Sequence, residues 1–335
     1  MREKETGSQA TADLDVFSKL LPNVRHYIGI ARPDHWIKNI FMLPGIFAAF
    51  IVVHPGAWPP MQRLVVGAVS LCLIASANYT INEYLDSEFD RFHPTKSHRA
   101  GARGLLDKRL VALQYVVLAA VGLMCAEAVN TPFLLTSVVL LVMGLIYNVQ
   151  PVRTKDKAYL DTLSESINNP IRFLLGWFVL APTYLPPGSA LLAYWMGGAF
   201  LMSVKRYAEY NNIGDRSRAA MYRPSFGRYT EQSLLLSSFF YALCAAFFIS
   251  VFLIKYRIEF LLTAPLFGLL FTWYLSIGFR KESAAQAPEK LYREFRFLGF
   301  AGFTFIFSVL MFFINIPFLH GLMEPHVIQF TLTSH

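Results

Sequence analysis

The sequence predicts an all-α, polytopic membrane protein with about nine transmembrane helices around a central cavity. Hydrophobic residues make up 55% of the 335 residues, and charged residues make up only 16%. Apolar runs of about 20 residues, the length that a helix needs to cross a bilayer, recur along the whole chain. Because lipid offers no hydrogen-bond partners to the backbone, each run is expected to be helical.

The predicted spans follow one another with short connections. They lie near residues 38–54, 63–86, 109–129, 132–150, 158–184, 189–206, 232–254, 258–279 and 296–318. Tryptophans are expected at the membrane interface or in lipid-facing packing, as are other aromatic residues that bridge water and lipid. These tryptophans are Trp58, Trp177, Trp195 and Trp273.

Lys and Arg are concentrated in alternate connections between the spans. By the positive-inside rule, the N-terminus and the basic loops are cytoplasmic and the C-terminus lies outside. Residues 1–24 are expected to form a disordered cytoplasmic tail, and residues 321–335 a short extracytoplasmic tail. Residues 25–320 are expected to form a single transmembrane helical domain. The net charge of +8 is explained by the basic cytoplasmic loops, so it does not indicate nucleic-acid binding.

The most informative polar segment follows the second predicted span. Asn82, Asp86 and Asp90 are spaced i, i+4 and i+8, which places them on one face of a helix. Basic residues follow at once, among them Lys96 and Arg99. Two acids beside cations are what a site needs to hold a divalent cation and a diphosphate. The alternative is a solvated helix end with ordinary surface charge.

A second polar loop, residues 205–231, is dense in Arg and Asn. Lys205 and Glu209 are one helical turn apart, and Asp215 follows. A salt bridge within the helix, together with positive-inside anchoring, would explain Lys205 and Glu209. It would not explain the density of Arg, whose planar fork suits phosphate oxygens.

A third polar group lies inside the fifth predicted span. Asp161, Glu165, Asn168 and Arg172 follow i, i+4, i+7 and i+11, and thus predict one stripe on a single helix. Ionisable residues within a span face the bundle interior or a water-filled cavity. The alternative is a structural network in which Arg172 neutralises Glu165.

The loop before that span adds Tyr147, Arg153 and Lys155 near the same membrane face. We therefore expect the polar groups of all these segments to converge on one cavity that opens to the cytoplasm.

The NxxxDxxxD pattern at Asn82, Asp86 and Asp90 resembles the UbiA superfamily of intramembrane prenyltransferases. The resemblance covers roughly residues 25–320 and is closest to the decaprenyl-phosphate phosphoribosyltransferase branch. The segments that support this branch are residues 32–39, 90–96, 205–209 and 228–231.

Superfamily members are similar in using Mg²⁺, bound by two acidic motifs, to hold a diphosphate. Carried over residue by residue, the resemblance implies that Asn82, Asp86 and Asp90 hold Mg²⁺ and diphosphate, and that Lys96 and Arg91 contact phosphate oxygens. Together with the polar segments described above, this gives a candidate catalytic set of Asp86, Asp90, Lys205 and Glu209, with Asp86 and Asp90 as the metal ligands. The candidate substrate- and diphosphate-binding residues, taken from the resemblance and the polar segments together, are Asn82, Arg91, Lys96, Arg99, Tyr147, Lys155, Asp161, Glu165, Asn168, Arg172, Arg206 and Asp215. The DxxxD motif usual after the sixth span is absent here.

The leading hypothesis is an integral membrane transferase of a bacterial inner membrane that moves phosphoribose from phosphoribosyl diphosphate to a polyprenyl phosphate. The alternative is a prenyltransferase that moves a polyprenyl chain from its diphosphate to an aromatic or other small acceptor. A transporter or lipid-binding protein would predict repeats with Gly- and Pro-broken helices in both halves, which the sequence lacks. The expected partners are a polyprenyl lipid, a diphosphate donor and the bilayer.

Overall fold

The structure is a computed structural model that describes residues 24–53, 60–93, 96–256, 258–280, 283–286, 291 and 293–323. The outer parts of the two predicted tails, residues 1–23 and 324–335, lie outside the described residues, as does Trp58. All regular secondary structure in the described ranges is helical, and the prediction of an all-α fold is confirmed.

The α-helices of the described chain are numbered in order. They are α1 (residues 24–31), α2 (Leu43–Val53), α3 (Met61–Leu85), α4 (Ser87–Asp90), α5 (Lys108–Val129), α6 (Thr131–Asn148), α7 (Leu160–Ser166), α8 (Asn168–Leu180), α9 (Gly188–Ile213), α10 (Arg216–Tyr222), α11 (Glu231–Tyr256), α12 (Ala264–Gly278), α13 (Phe295–Phe313) and α14 (Pro317–Met323). Short 3₁₀ segments connect several of them, including Pro33–Met42 between α1 and α2 and Pro224–Gly227 after α10.

Six helical stretches of the described residues are long and apolar enough to cross a membrane. They are Val24–Val53, Met61–Leu85, Lys108–Val129, Thr131–Asn148, Glu231–Tyr256 and Ile258–Gly278. The other three predicted spans are also helical, in α7 with α8, in α9 and in α13. The protein is a multi-pass membrane protein, and the total of nine spans stays a prediction.

The fifth predicted span, residues 158–184, is not one continuous helix. It divides at Ile167 into α7 and α8. Pro170 has no amide hydrogen, so it cannot donate the helical hydrogen bond to the carbonyl oxygen of Ser166. The prediction of one polar stripe on a single helix is therefore wrong, because the stripe is shared between two helices.

Helices α2 and α8 cross in close contact because each carries a glycine at the crossing. A Cβ atom at Gly45 would lie 2.0 Å from the carbonyl oxygen of Phe173, and one at Gly176 would lie 1.9 Å from that of Met42. Small residues allow helix backbones to approach closely within a membrane. The crossing fixes α8, which carries part of the polar stripe, against the start of the chain.

The position of Trp177, at the same crossing, differs from the one predicted from the sequence. We expected it at the membrane interface, but it is fully buried in the core around α8. Its indole N–H donates a hydrogen bond to the carbonyl oxygen of Tyr184 at 2.7 Å. Burial of the ring together with a partner for its N–H satisfies both parts of the side chain away from the interface.

The polar connections gather at one end of the helix bundle, which we call the polar end (residues 86–93, 96–107, 149–159 and 214–230). There α4 contacts α10, and the 3₁₀ turn Thr154–Asp156 contacts Pro224–Gly227. Connections that are far apart in the sequence therefore meet above the ends of α3, α6 and α9.

We expect Gly176→Ala to lower the free energy of unfolding by about 1–3 kcal/mol, because the added methyl group must push α2 and α8 apart. Thermal unfolding of the detergent-solubilised protein measures this change. Gly268→Ala on α12 is the matched control, since a Cβ atom there meets nothing within 4 Å. If the thermal unfolding midpoint of Gly176→Ala is at or above that of the control, the close crossing of α2 and α8 does not depend on this glycine.

Candidate active site

Asp86 and Asp90 bracket the short helix α4 at the polar end. Asp86 follows the last residue of α3, and Asp90 is the last residue of α4. The amide of Asp90 donates to the carbonyl oxygen of Asp86 at 2.8 Å, and the side chain of Asn82 donates to Asp86 Oδ2 at 3.1 Å. The helical spacing expected of these three residues therefore continues through the junction of α3 and α4.

Both carboxylates contact cations from distant parts of the chain. Asp86 Oδ1 accepts hydrogen bonds from the ammonium of Lys155 and, at 3.2 Å, from Arg153 Nη2. Asp90 Oδ2 accepts from Arg99 Nη1 at 2.8 Å. The loop after α6 thus supplies the partners of Asp86, while the loop after α4 supplies the partner of Asp90.

A small cleft opens beside the two carboxylates. Its walls mix carboxylates, cations and aromatic rings from α4, from the loop after α6 and from the end of α10. The lining residues are Asp86, Phe89, Asp90, Arg153, Lys155, Asp156, Tyr222, Arg223 and Pro224. Carboxylates beside fixed cations complement an anion that carries its own metal ion.

The pKa values of the Asp86 and Asp90 carboxyl groups are shifted in opposite directions. Burial opposes ionisation of Asp86, but Lys155, Arg223 and Arg153 outweigh it and hold its pKa below the ordinary value. Burial of Asp90 outweighs the effect of Arg99, so the pKa of Asp90 is raised. A cation bound between the two would favour the ionised form of both.

Two cations of the cleft, Arg153 and Lys155, lie in the loop between α6 and α7 and are held in place by Asn148, the last residue of α6. Arg153 has a positive φ of 28°, and its guanidinium donates to the carbonyl oxygen of Asn148 at 3.0 Å. Lys155 donates to the side-chain oxygen of the same Asn148 at 2.8 Å. Burial lowers the pKa of Lys155 to about 8, although Asp86 opposes the shift. A sparsely populated backbone conformation that aims a side chain into a cleft is typical of functional sites.

The second polar loop meets the first through Lys96. Its ammonium donates to Glu209 Oε1 at 3.2 Å and also to the hydroxyl of Tyr222. Glu209 in turn accepts from Arg206 Nη1 at 3.0 Å. The expected convergence of the two loops is therefore present in the structure.

Arg206 lies at the centre of a buried group that we call the Arg206 cluster (Asp161, Glu165, Arg206 and Glu209). The Arg206 side chain is 0% exposed. Its Nε donates to Asp161 Oδ2 at 3.1 Å, and its Nη2 donates to Glu165 Oε2. Arg206 Nη2 also lies 3.2 Å from the hydroxyl of Tyr147, which itself donates to Glu165 Oε2 at 2.7 Å. One guanidinium thus serves three carboxylates from two helices.

Asp161 extends the cluster to the segment after α10. Its Oδ1 accepts from the hydroxyl of Tyr229 at 2.7 Å, and its Oδ2 accepts from Ser225 Oγ at 3.2 Å. Arg223 Nη1 lies 3.6 Å from Asp161 Oδ2 and 3.3 Å from the Tyr147 hydroxyl. Asp161 is fully buried, and through these contacts it holds the second polar loop against α7.

Glu165 and Arg172 have different partners from those that the sequence suggested. Arg172 Nε donates to Asn39 Oδ1 at 3.1 Å, and its Nη1 donates to the carbonyl oxygen of Asn168 at 3.4 Å. The alternative in which Arg172 neutralises Glu165 is wrong, because Arg206 occupies that role. The break between α7 and α8 is the reason, since it turns the two side chains toward different neighbours.

Two candidate residues lie apart from the others. Arg91 is exposed, and its Nε donates to the carbonyl oxygen of Ala102 at 3.1 Å. Asp215 is also exposed and caps α10 by accepting from the amides of Ser217 and Arg218. The structure thus uses both side chains locally, within their own loops.

Glu83 and Arg223 were not singled out as site residues by the sequence. Glu83 is buried and accepts from Arg32, with Arg99 Nη1 at 3.7 Å. Glu83 could have been noticed as an acid one residue beyond Asn82 in an apolar helix. Arg223 carried no local signal, because it is one of several Arg residues in the second polar loop.

The profile of the UbiA prenyltransferase family matches residues 41–308. The chain belongs to this family. The decaprenyl-phosphate phosphoribosyltransferase of Mycobacterium tuberculosis is 32% identical over 205 residues, which cover 61% of this chain and 65% of the relative. The enzyme of the same name from Mycolicibacterium smegmatis is 28% identical over 221 residues, which cover 62% and 63%. The match thus spans less than two thirds of the length of these relatives.

The UbiA fold is also found by comparison with solved structures. A UbiA homologue from Archaeoglobus fulgidus bound to GPP and Mg²⁺ has a TM-score of 0.65 with this chain at 20% identity. The alignment covers 86% of this chain and 100% of the homologue. The family and fold predicted from the sequence are confirmed.

Asp86 and Asp90 fit the requirements of a Mg²⁺ ion in this UbiA fold. Among the described residues, no group of three or more His, Cys, Asp or Glu side chains is placed to hold a metal. Mg²⁺ is commonly bound through one or two carboxylates together with substrate phosphates and water. Two carboxylates on one wall of a cleft, with Lys155 and Arg153 beside them, match that mode of binding.

We expect Arg206→Gln to lower the free energy of unfolding by about 3–5 kcal/mol, because three buried carboxylates lose their shared cation. Thermal unfolding and size-exclusion profiles of the detergent-solubilised protein measure this effect. Arg228→Gln is the matched control, since Arg228 is exposed in the same loop. An unfolding midpoint close to that of the control would show that the Arg206 cluster contributes little to stability.

Proposed function

We propose that the protein is a Mg²⁺-dependent membrane transferase that moves phosphoribose from phosphoribosyl diphosphate to a polyprenyl phosphate. The observation that carries the proposal is the cleft in which Asp86 and Asp90 face Lys155, Arg153 and Arg223. A diphosphate with its metal ion complements this arrangement in charge. Residues 25–320 form the transferase domain in this proposal.

Asp86 and Asp90 hold the metal ion in the proposed complex. When bound, Mg²⁺ would neutralise the negative charge that develops on the leaving diphosphate. Lys155 and Arg153 already lie in hydrogen-bond contact with Asp86, so a small movement brings them to phosphate oxygens. Arg223 also lines the cleft; burial opposes its charge, but its phenol and carboxylate neighbours outweigh burial and hold its pKa well above the ordinary value.

In the proposed reaction, the bond between C1 of the ribose and the diphosphate oxygen breaks, and diphosphate leaves with the bonding electrons. An oxygen of the acceptor phosphate forms the new bond to C1, giving a lipid-linked phosphoribose. Cations that are fixed before the reaction stabilise the leaving group without reorganisation. The apolar helices below the polar end restrict water, which would otherwise capture the electron-deficient carbon.

The cationic character of α9 favours a phosphoribosyl donor. At the place of the second acidic motif, this chain has Lys205, Arg206 and Glu209. Glu209 already accepts from Arg206 and Lys96, so α9 offers no second free carboxylate pair for a metal ion. The names of the two mycobacterial relatives support the same reaction class.

The proposal includes an orientation in a bacterial inner membrane. The N-terminus and the polar end are cytoplasmic and the C-terminus is outside, because Lys and Arg are concentrated in the connections of the polar end. This orientation gives a soluble, highly phosphorylated donor direct access to the cleft.

Purified protein supplied with Mg²⁺, radiolabelled phosphoribosyl diphosphate and polyprenyl phosphate is expected to form a labelled lipid. Chelation of the metal is expected to stop the reaction, because the diphosphate leaves poorly without neutralisation. Thin-layer chromatography of the organic extract detects the product. No product from this pair, together with prenylation of an aromatic acceptor by a polyprenyl diphosphate, would establish the alternative reaction.

We expect Asp86→Asn and Asp90→Asn each to reduce kcat by roughly 100-fold or more, because each change removes a charged metal ligand. Initial rates of labelled-lipid formation measure the effect, and unfolding midpoints check that both variants are folded. Asp107→Asn is the matched control, because Asp107 is exposed and caps α5, a position that Asn fills equally well. Turnover of both variants at the control rate would refute the metal site.

A further inference from the structure

A broad groove runs between α1 and the loop that joins α4 to α5. Its walls are mostly apolar, and Val24 and Ile28 of α1 form part of them. Three charged side chains also line it, namely Arg25 on α1, Glu83 on α3 and Arg99 in the loop. None of the described residues that line this groove lines the cleft of the candidate active site. The groove is therefore a separate opening.

Contacts with the start of α5 hold α1 in place beside the groove. The hydroxyl of Tyr27 accepts a hydrogen bond from the amide of Asp107 at 3.0 Å, and Gln114 Nε2 donates to the carbonyl oxygen of Tyr27 at 2.9 Å. Val24 and Ile28 are one helical turn apart and are 50% and 58% exposed. Since α1 begins a helical stretch that could cross a membrane, this exposed apolar face suits the hydrocarbon chain of a lipid.

Arg99 connects the groove to the cleft. Its Nη1 donates to Asp90 Oδ2 at 2.8 Å and lies 3.7 Å from Glu83 Oε2. Asp90 lines the cleft, whereas Arg99 and Glu83 line the groove, and the Arg99 side chain is 29% exposed. Because one hydrogen bond joins the two openings, a phosphate that Arg99 holds in the groove would be the direct neighbour of a diphosphate that is held at Asp90.

The balance of charge along the groove favours an anion. Glu83 is neutralised by Arg32, and Asp90 is paired with Arg99. Arg25 is exposed and forms no ion pair with the described residues, so it adds a positive charge that these residues do not balance. If Asp90 binds a metal ion, Arg99 can exchange this carboxylate for a phosphate oxygen, which its planar fork also suits.

We propose that this opening, the α1 groove (Val24, Arg25, Ile28, Gly29, Glu83 and Arg99), binds the polyprenyl phosphate acceptor. The prenyl chain lies along Val24 and Ile28, and the phosphate lies against Arg99, while Arg25 raises the positive potential of the groove. The proposal rests on the proposed function, in which this lipid is the acceptor. The link through Arg99 favours the acceptor over an ordinary phospholipid, because only a substrate needs its phosphate beside the cleft.

A substitution that fills the α1 groove tests whether the lipid occupies it. Gly29 lines the groove, and a Cβ atom there would meet nothing within 4 Å, so the fold has room for a larger side chain. Gly29→Phe is expected to raise KM for polyprenyl phosphate by roughly tenfold or more, because the loss of about two buried CH₂ groups has an effect of that size. KM for phosphoribosyl diphosphate and the unfolding midpoint are expected to stay unchanged.

Gly268→Phe on α12 is the matched control, since a Cβ atom at Gly268 also meets nothing within 4 Å. Initial rates at varied concentrations of each substrate measure the two KM values in detergent. A folded Gly29→Phe variant whose KM for polyprenyl phosphate equals that of the control would overturn the proposal. A rise in KM for the donor in place of the acceptor would overturn it as well.

A binding experiment tests the role of charge without turnover. Polyprenyl phosphate, the neutral polyprenol of the same chain length and phosphatidylglycerol are titrated into the purified protein, with no donor present. Wild type is expected to prefer polyprenyl phosphate to both, and Arg25→Gln to lose about threefold or more of the preference over polyprenol. Arg228→Gln, at another exposed Arg of the polar end, is the matched control and should keep this preference.

Two results of the binding experiment would overturn the proposal. Equal affinity of wild type for polyprenyl phosphate and polyprenol would show that the groove does not recognise the phosphate. Equal affinity for polyprenyl phosphate and phosphatidylglycerol would identify a phospholipid site instead.

The proposed function and the acceptor site fail in different ways. If wild type forms no labelled lipid from phosphoribosyl diphosphate, the proposed function is refuted, and the affinity of Gly29→Phe for polyprenyl phosphate still decides whether the α1 groove binds this lipid. If wild type forms the labelled lipid but Gly29→Phe binds polyprenyl phosphate and reacts as wild type does, only the acceptor site is refuted.

Discussion

The structure depends on the need to compensate charge inside an apolar helix bundle. A buried carboxylate or guanidinium is costly unless a partner neutralises it and completes its hydrogen bonds. Arg206 meets this requirement for Asp161 and Glu209 at 3.1 and 3.0 Å and also binds Glu165. Since these residues lie on α7 and α9, the cluster ties the two helices together. Asp161 also binds Tyr229, and Glu209 also binds Lys96, so the cluster holds both polar loops in place.

The degree of compensation distinguishes structural charges from those available to a ligand. In the Arg206 cluster, the guanidinium is fully buried and its carboxylates have several partners each. At the cleft, Asp86 and Lys155 pair with each other at the edge of open space, so either can exchange its partner for a metal ion or a phosphate. Among the described residues, Arg172 donates hydrogen bonds to neutral groups, the side chain of Asn39 and the carbonyl oxygen of Asn168. In the proposed function, the metal ion and the diphosphate replace the partners of Asp86 and Lys155 at the cleft.

Backbone features place these charges as much as the side chains do. The glycine crossing at Gly45 and Gly176 holds α8 against α2, which brings Asn39 within reach of Arg172. The break at Ile167 turns α7 toward α9 and lets α8 face the start of the chain. Small residues and a proline therefore decide which polar groups meet, although none of them contributes a charge. The similarity in fold to a homologue of only 20% identity agrees with a helical framework that tolerates many side-chain changes.

Properties that depend on local sequence were predictable: the membrane class, the approximate helix bounds and the acidic pair Asp86 and Asp90. Apolar run length and i+4 spacing are set by neighbours along the chain, so they can be counted without a fold. The choice of partner for each charge was not predictable. Glu165 could pair with Arg172 or Arg206 by chemistry alone, and the helix break selected Arg206. Burial of Trp177 likewise required the α2–α8 crossing. Such choices depend on which helices face each other, and that is a long-range property of the folded chain.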